Sequence, residues 1–236
     1  MGEPPVAIVT GAGSGVGRAV AVRLDRRGWR VALVGRRVDT LEQTQSQIKG
    51  PTLVVPADVA IEADRARIIQ STIDSFGRVD ALVNNAGMAD LVALGEATTQ
   101  QIRRSIEING VAPVDLAARV LGLMKQQQSG CVVSISSYST LDPFPGLGMY
   151  GCSKGAMNVL CRAIANEYGG SGVRAYTVAL GATETAMLRS MFDEKVLPSS
   201  ATVSPDEVAA FVCGLIDDHA GTRSGQVVCF PARDEG

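Results

Sequence analysis

The sequence predicts an α/β fold, a single domain over residues 1–236 built on an open, doubly wound parallel sheet of about seven strands with helices on both faces. Three observations predict it. Short runs of Val, Leu and Ile alternate with longer stretches of helical period almost to the end of the chain. The strand runs are continuously apolar, so both faces of the sheet are covered. A chain of 236 residues buries a large core without leaving enough for a second full domain.

The first strand, 6–10, runs into Thr10-Gly11-Ala12-Gly13-Ser14-Gly15-Val16-Gly17, which opens a helix striped by Val16, Val20 and Leu24. Further strands are expected at 31–34, 52–55, 81–84, 131–135, 174–178 and 226–230. Between them Ile69, Ile73 and Phe76, then Ile102 and Ile106, Leu160 and Ile164, and Val208, Val212 and Leu215 recur at helical spacing. Thr98 with Gln101 predicts a capping box, and Ser204-Pro205-Asp206-Glu207 places a cap, a first-turn proline and a reciprocal glutamate in order. Right-handed crossovers wind such units into a sheet whose ligand crevice lies beyond the carboxyl ends of its strands.

Composition narrows the partners. Twenty-two basic and 24 acidic side chains leave a net charge of −2, which argues against nucleic acid and an anionic membrane and for a small molecule recognised locally. No apolar run approaches the roughly 20 residues of a membrane span, and Met1-Gly2-Glu3-Pro4-Pro5 does not begin a signal segment, so a cytoplasmic protein is expected. Cys131, Cys152, Cys161, Cys213 and Cys229 have neither metal nor redox spacing and read as small buried apolar residues. With His219 the single histidine, no metal site is expected.

The glycine turn follows a strand and opens a helix, the context in which backbone amides and the helix dipole receive a pyrophosphate. The spacing Gly-x-Gly-x-x-Gly fails because Val16 occupies the third position, whereas Thr-Gly-x-x-x-Gly-x-Gly is met by Gly11, Gly15 and Gly17. A Rossmann-like dinucleotide site is therefore expected, and the absence of Gly-Lys-Ser/Thr excludes a nucleotide-hydrolysing loop. The second strand ends Gly35-Arg36-Arg37, with no carboxylate at its tip for a ribose 2′-hydroxyl. Arg36 suits a 2′-phosphate, so NADP is expected. Asp39 turning back toward a free ribose would suit NAD instead.

Tyr150-Gly151-Cys152-Ser153-Lys154 sets a phenol and an ammonium on one helical face. Free tyrosine titrates near 10, and a nearby cation stabilises its phenolate, which would make it a general acid and base. Asn84-Asn85-Ala86-Gly87 follows the fourth strand, Asn109 comes next, and Ser136-Ser137 follow the fifth. In this order, from Val6 to about Phe230, the chain resembles the short-chain dehydrogenase/reductase family.

That resemblance implies an NAD(P)-dependent oxidoreductase acting on a carbonyl or alcohol. It implies Tyr150 as proton donor and acceptor, Lys154 as the group that lowers its pKa and holds the nicotinamide ribose, and Ser137 as the residue that polarises the substrate oxygen. Asn109 would hold a relay water. Ser137, thirteen residues before Tyr150, fits the pattern better than Ser136. On the cofactor side the resemblance implies Gly11, Ser14, Gly15, Val16 and Gly17 at the pyrophosphate, Asp58 and Val59 at the adenine, and Asn85, Ala86 and Gly87 along the adenosine. Gly181, Thr183 and Thr185 would meet the carboxamide and pyrophosphate, although Leu180 stands where the family carries proline.

Met187, Leu188, Met191 and Phe192 read as a lid over an apolar substrate or, equally, as ordinary packing or a subunit contact, and Tyr138, Phe144 and Leu147 as the opposite wall or as core packing. The resemblance also implies a homodimer or homotetramer, for which the stripe at Met157 and Leu160 is a compatible surface. Two rival readings are a dinucleotide-binding regulator without turnover and a serine hydrolase using Ser153, since Gly151-Cys152-Ser153-Lys154-Gly155 matches Gly-x-Ser-x-Gly with His219 downstream. The hydrolase needs a strand before the serine, and Pro143, Pro145 and Gly146 oppose one.

Overall fold

A computed structural model describes residues 3–217 and 221–232. In chain order, β1 (Val6–Thr10), β2 (Arg30–Gly35) and β3 (Thr52–Pro56) alternate with α1 (Gly15–Asp25), α2 (Val38–Gln45) and α3 (Glu62–Phe76). After β4 (Ala81–Asn84) come α4 (Thr99–Ile106) and α5 (Ala112–Gln127), then β5 (Gly130–Ser137) and α6 (Gly148–Tyr168). β6 (Val173–Leu180), α7 (Ala186–Met191), α8 (Pro205–Ile216) and β7 (Val227–Phe230) complete the order.

All seven strands are parallel, in the order β3-β2-β1-β4-β5-β6-β7. The chain thus starts at the centre, winds outward to β3, and returns past β1 to build the other half. The crevice opens where the direction reverses, between β1 and β4. Continuous apolarity along the strands has the expected cause. Ala7 and Val9 of β1 face one core with Val20 and Leu24 of α1 and Val212 of α8, while Ile8 faces a second core with Ile68 of α3 and Leu116 of α5. Each fully buried Val, Leu or Ile among them contributes about 1.5–3 kcal/mol before chain entropy is counted.

Both capping boxes form, at Thr98 with Gln101 and at Ser204 with Glu207. β5 and β6 extend beyond the sequence expectation, because Ser136 and Ser137 pair with Ala179 and Leu180 despite their polarity. Ser137 is consequently the last residue of a strand rather than part of a following loop.

Between α4 and α5 the helix widens into a π-turn, Glu107–Val111. Pro113 explains it: having no N–H, proline cannot bond the Asn109 carbonyl one turn back, and its ring crowds that carbonyl. The N–H of Ala112 reaches Glu107 instead.

Two expectations need correction. Cys131, Cys161 and Cys213 are buried, but Cys152 is exposed, because α6 turns Ser153 and Lys154 inward and Cys152 outward. Met157 is fully buried, held in the same inward stripe, and offers no surface to another subunit. Among the described residues no helix is long and apolar enough to cross a membrane, and no group of three or more His, Cys, Asp or Glu is placed to hold a metal.

Candidate active site

A cleft of about 520 Å³ runs across the carboxyl ends of the strands. It brings together Gly11, Ser14, Gly15, Val16, Asn85, Ala86, Gly87, Ser137, Tyr150, Lys154, Gly181, Thr183 and Thr185.

Its floor is set by short backbone approaches. Thr10 Oγ1 donates to Val83 O (3.2 Å) and accepts from the N–H groups of Asn85 and Ala86, both at 3.0 Å. Asn85 Nδ2 returns a bond to Thr10 O at 2.8 Å. This lacing joins β1 to β4 at the switch point. Gly11 and Gly15 have φ of 67° and 50°, where a side chain would be strained. Gly17 is required by contact: a Cβ there would lie 2.3 Å from Gly11 O. Gly17 therefore sits behind the turn rather than in the cleft.

The start of α1 suits an anion. Ser14 precedes it in extended conformation without capping the helix, and no acidic residue stands in the first turn. First-turn amides and the positive end of the dipole are directed to the cleft. Thr185 is committed differently, since its hydroxyl donates to Thr183 O (3.3 Å) and accepts from Leu188 N (3.2 Å) as the cap of α7. One lone pair remains to meet a ligand.

At the far end, strand β5 delivers Ser137 and helix α6 delivers Tyr150 and Lys154. Ser137 Oγ donates to Ser139 Oγ (3.2 Å) and accepts from Ser139 N (3.1 Å), which fixes its rotamer at the strand end. Burial pushes the Tyr150 phenol up to about 12, and a hydrogen bond with Ser137 pulls the other way without overcoming it. Lys154 Nζ donates to Ile135 O at 2.8 Å and lies 5.9 Å from the Tyr150 ring centroid. Burial pushes its ammonium down to about 8. Here the structure departs from the expectation that Lys154 makes the phenol acidic. In the protein alone, burial raises the one and lowers the other, leaving a neutral phenol beside a cation at neutral pH.

Asn109 lies one layer deeper, fully buried in the π-turn. Its Nδ2 donates to Met88 O (2.8 Å) and Ser153 Oγ (2.9 Å), and its Oδ1 accepts from Met88 N (3.0 Å). A Cβ on Gly87 would sit 3.0 Å from both Asn109 Oδ1 and Lys154 Nζ, so these groups flank that glycine. Ser105 and Ser153, bonded to each other at 2.9 Å, complete a buried polar cluster that sequence reasoning missed. Polar residues at inward positions of α4 and α6 were its available signal.

Ser153 is 2% exposed within α6 and donates to Tyr150 O at 2.7 Å. A serine there is no nucleophile at a strand-to-helix turn, which removes the hydrolase; its proposed partner, His219, lies outside the described residues.

Besides Gly17, three expected cofactor residues stand outside the cleft. Arg36 is exposed just beyond β2. Asp58 folds back to accept from Ala60 N (3.0 Å), with Val59 packed in the core beside it. The cleft is also lined by Tyr138, Phe144 and Leu147 on one side and Met187, Leu188, Met191 and Phe192 on the other, as the sequence suggested, and by Val196 and Leu197, which it did not.

A parallel sheet with an uncapped helix at its switch point, and a half-buried phenol beside a buried ammonium at the other end of one cleft, defines the class of dinucleotide-binding oxidoreductases. Comparison with known proteins specifies it. Residues 5–196 match the short chain dehydrogenase family. The 2-(R)-hydroxypropyl-CoM dehydrogenase of Xanthobacter autotrophicus is 39% identical over 200 residues, 81% of this chain and 80% of that protein. Levodione reductase superposes with a TM-score of 0.89 at 29% identity, covering 96% of this chain and 95% of that one. The 3-ketoacyl-(acyl-carrier-protein) reductase from Brucella melitensis, complexed with NADH, superposes with a TM-score of 0.91 at 26% identity over 97% of both chains. The chain belongs to the short-chain dehydrogenase family and is an oxidoreductase of that family.

Proposed function

We propose that the protein, acting as a single cofactor-binding and catalytic domain, reduces a carbonyl substrate and oxidises the corresponding alcohol in reverse, with NADP(H) as its preferred partner. The observation that carries this reading is the Tyr150 hydroxyl paired with Ser137 and backed by Lys154, in the same cleft as the glycine turn. The relatives' names, a 2-(R)-hydroxypropyl-CoM dehydrogenase and a 3-ketoacyl-(acyl-carrier-protein) reductase, describe the two directions of such chemistry.

The glycine turn and the first amides of α1 hold the pyrophosphate, Asn85 to Gly87 border the adenosine, and Gly181, Thr183 and Thr185 border the carboxamide. Asp58 and the main chain of Val59, whose side chain is packed in the core, would border the adenine from the flank of the cleft. When bound, the nicotinamide supplies a hydride to the carbonyl carbon or takes one from the alcohol. Ser137 hydrogen-bonds the substrate oxygen, and Tyr150 gives that oxygen its proton, so one hydride and one proton convert carbonyl to alcohol. The raised phenol pKa keeps the donor loaded for reduction. Lys154 stabilises the phenolate left behind and reloads it, and Asn109 fixes the layer behind Gly87 through which a relay water would reach Lys154.

Tyr150→Phe is expected to keep nucleotide affinity while abolishing hydride transfer. Near-normal turnover would remove Tyr150 from its role, and intact cofactor binding by the parent without turnover on aldehydes, ketones or alcohols would leave a regulator.

For the nucleotide, the support is that β2 ends in exposed Arg36 and Arg37 with no acid at its tip. NAD is the second reading, favoured by Asp39 in the first turn of α2 and by the NADH-bound Brucella reductase. Titration with NADPH and NADH, followed by nicotinamide fluorescence, separates them. Arg36→Ala should cost NADPH affinity about tenfold or more and leave NADH nearly unchanged; equal effects on the two would end the 2′-phosphate argument.

Self-association belongs to the same proposal, resting now on exposed Ile106, Val111, Val114 and Val159 rather than on buried Met157. Sedimentation should return a dimer or tetramer.

A further inference from the structure

Resting on the oxidoreductase reading above, we infer that the substrate is an uncharged, largely apolar ketone or secondary alcohol, and that the site discriminates against carbonyl compounds with an anionic far end. It follows from what the substrate half of the cleft contains and from how Arg189, the cation of α7, is disposed.

Beyond Tyr150 the cleft runs between Phe144 and Leu147 on one side and Leu188, Met191 and Phe192 on the other. Phe144 and Phe192 meet edge to face, with ring centroids 5.5 Å apart, and so join the two walls. Helix α7 buries none of its residues, although it carries Met187, Leu188 and Met191. In a short helix laid over a continuous cleft, that uncovered apolar face is explained by an apolar ligand beneath it.

The charges are arranged to match. Among the described residues that line the cleft only Lys154 and Asp142 are charged. Lys154 is 3% exposed and directs its Nζ to Ile135 O, beneath the reacting end and away from the lid. Asp142 adds no positive charge to the cleft. Arg189, the cation within α7, does not line the cleft. It pairs with both Glu184 carboxylate oxygens and donates to Leu197 O at 2.7 Å, and Thr202 Oγ1 holds Glu184 Oε2 from the far side at 3.1 Å. Glu184 holds the Arg189 guanidinium above its ordinary pKa, and Arg189 holds the carboxyl below its own. The guanidinium is thus spent on folding the lid and cannot turn inward without breaking those bonds. A carboxylate, sulfonate or phosphate at the far end of a substrate would lie against methionine and phenylalanine, with no cation but Lys154 among the described residues that line the cleft, and desolvating it there is costly.

The test compares methyl heptyl ketone with the keto acid of the same length, whose far end is a carboxylate, in the full-length protein with its preferred nucleotide. The expected result is a kcat/KM favouring the ketone by about 100-fold or more. Met191→Lys, which places an ammonium in the lid, should narrow that ratio by about tenfold through the keto acid, with nucleotide affinity unchanged. A keto acid used as well as the ketone, or a ratio indifferent to Met191→Lys, overturns the substrate class. Repeating the better substrate with Tyr150→Phe separates the two levels: turnover that needs Tyr150 but favours the acid sinks only the substrate class, whereas turnover surviving Tyr150→Phe sinks the reading beneath it. No turnover of either compound sinks both.

Discussion

At the cofactor end of the cleft the backbone is tied down from several directions at once. Thr10 receives two amides, Asn85 returns a bond to β1, and Gly17 leaves no room for one carbon against Gly11 O. At the substrate end, α7 buries no side chain and is held by one ion pair, a handful of bonds from Arg189 and an aromatic contact. Both regions hang from the same strand ends, so the sheet is not what distinguishes them. The difference lies in how many independent constraints meet at each residue. A binding step common to a whole family calls for fixed amides, while a substrate that must enter and leave calls for a cover whose opening is inexpensive.

Substitutions test that contrast in decreasing order of effect. Lys154→Met should stabilise the nucleotide-free protein by about 3 kcal/mol at pH 7 while destroying activity, because it removes a buried ammonium whose pKa has fallen from 10.5 to about 8. The folded state disfavours the charge, so the parent's deficit is complete below pH 8 and disappears as pH rises toward 10.5. Tyr150, raised from 10.0 to about 12, is neutral in both states across most of that window and costs stability only above pH 10. Chemical denaturation at several pH values checks the sign; a deficit that grows with pH would refute the burial argument. In the parent enzyme, reduction should weaken as pH passes about 8 and Lys154 loses its proton.

Gly17→Ala comes next. Its Cβ would press on the Gly11 carbonyl and on the Asn85 amide that bonds Thr10 O, costing about 1–3 kcal/mol and lowering nucleotide affinity with it. An unchanged melting temperature with unchanged NADPH binding would mean that the tied end has more slack than its geometry implies. Smallest in stability is Arg189→Met, which frees the lid from Glu184. KM for the carbonyl should rise several-fold with nucleotide affinity preserved. If instead both affinities fall together, the two ends are one mechanical unit and the contrast fails.

What the sequence disclosed follows the same division. Strands showed themselves because apolar residues face both cores, and the glycine turn because its φ values and close contacts exclude other residues. Tyr150, Lys154 and Ser137 could be placed together because a helix and a strand end fix their spacing. Less legible were features that depend on neighbours distant in sequence. The polar end of β5 resembled a loop until its pairing with β6 was seen. The raised pKa of Tyr150 follows from burial by residues on several elements, which a local Tyr-x-x-x-Lys pattern does not encode. Arg65, nearly buried, donates to Val59 O, Asp115 and Glu107, linking the segment after β3 to the π-turn. No motif announced it, since its partners are 6, 50 and 42 residues away.

Pro113 touches nothing that reacts, yet it sets the angular phase of the long helix in which Asn109 stands. Each residue of an α-helix advances about 100° around the axis. The wide turn therefore offsets α4 from α5, and with that offset Asn109 meets Met88 and Ser153 together. A ring that withholds one proton from the main chain thus aims an amide lying beneath the catalytic floor, and the pattern of inward residues on either side of it must be read as two separate phases.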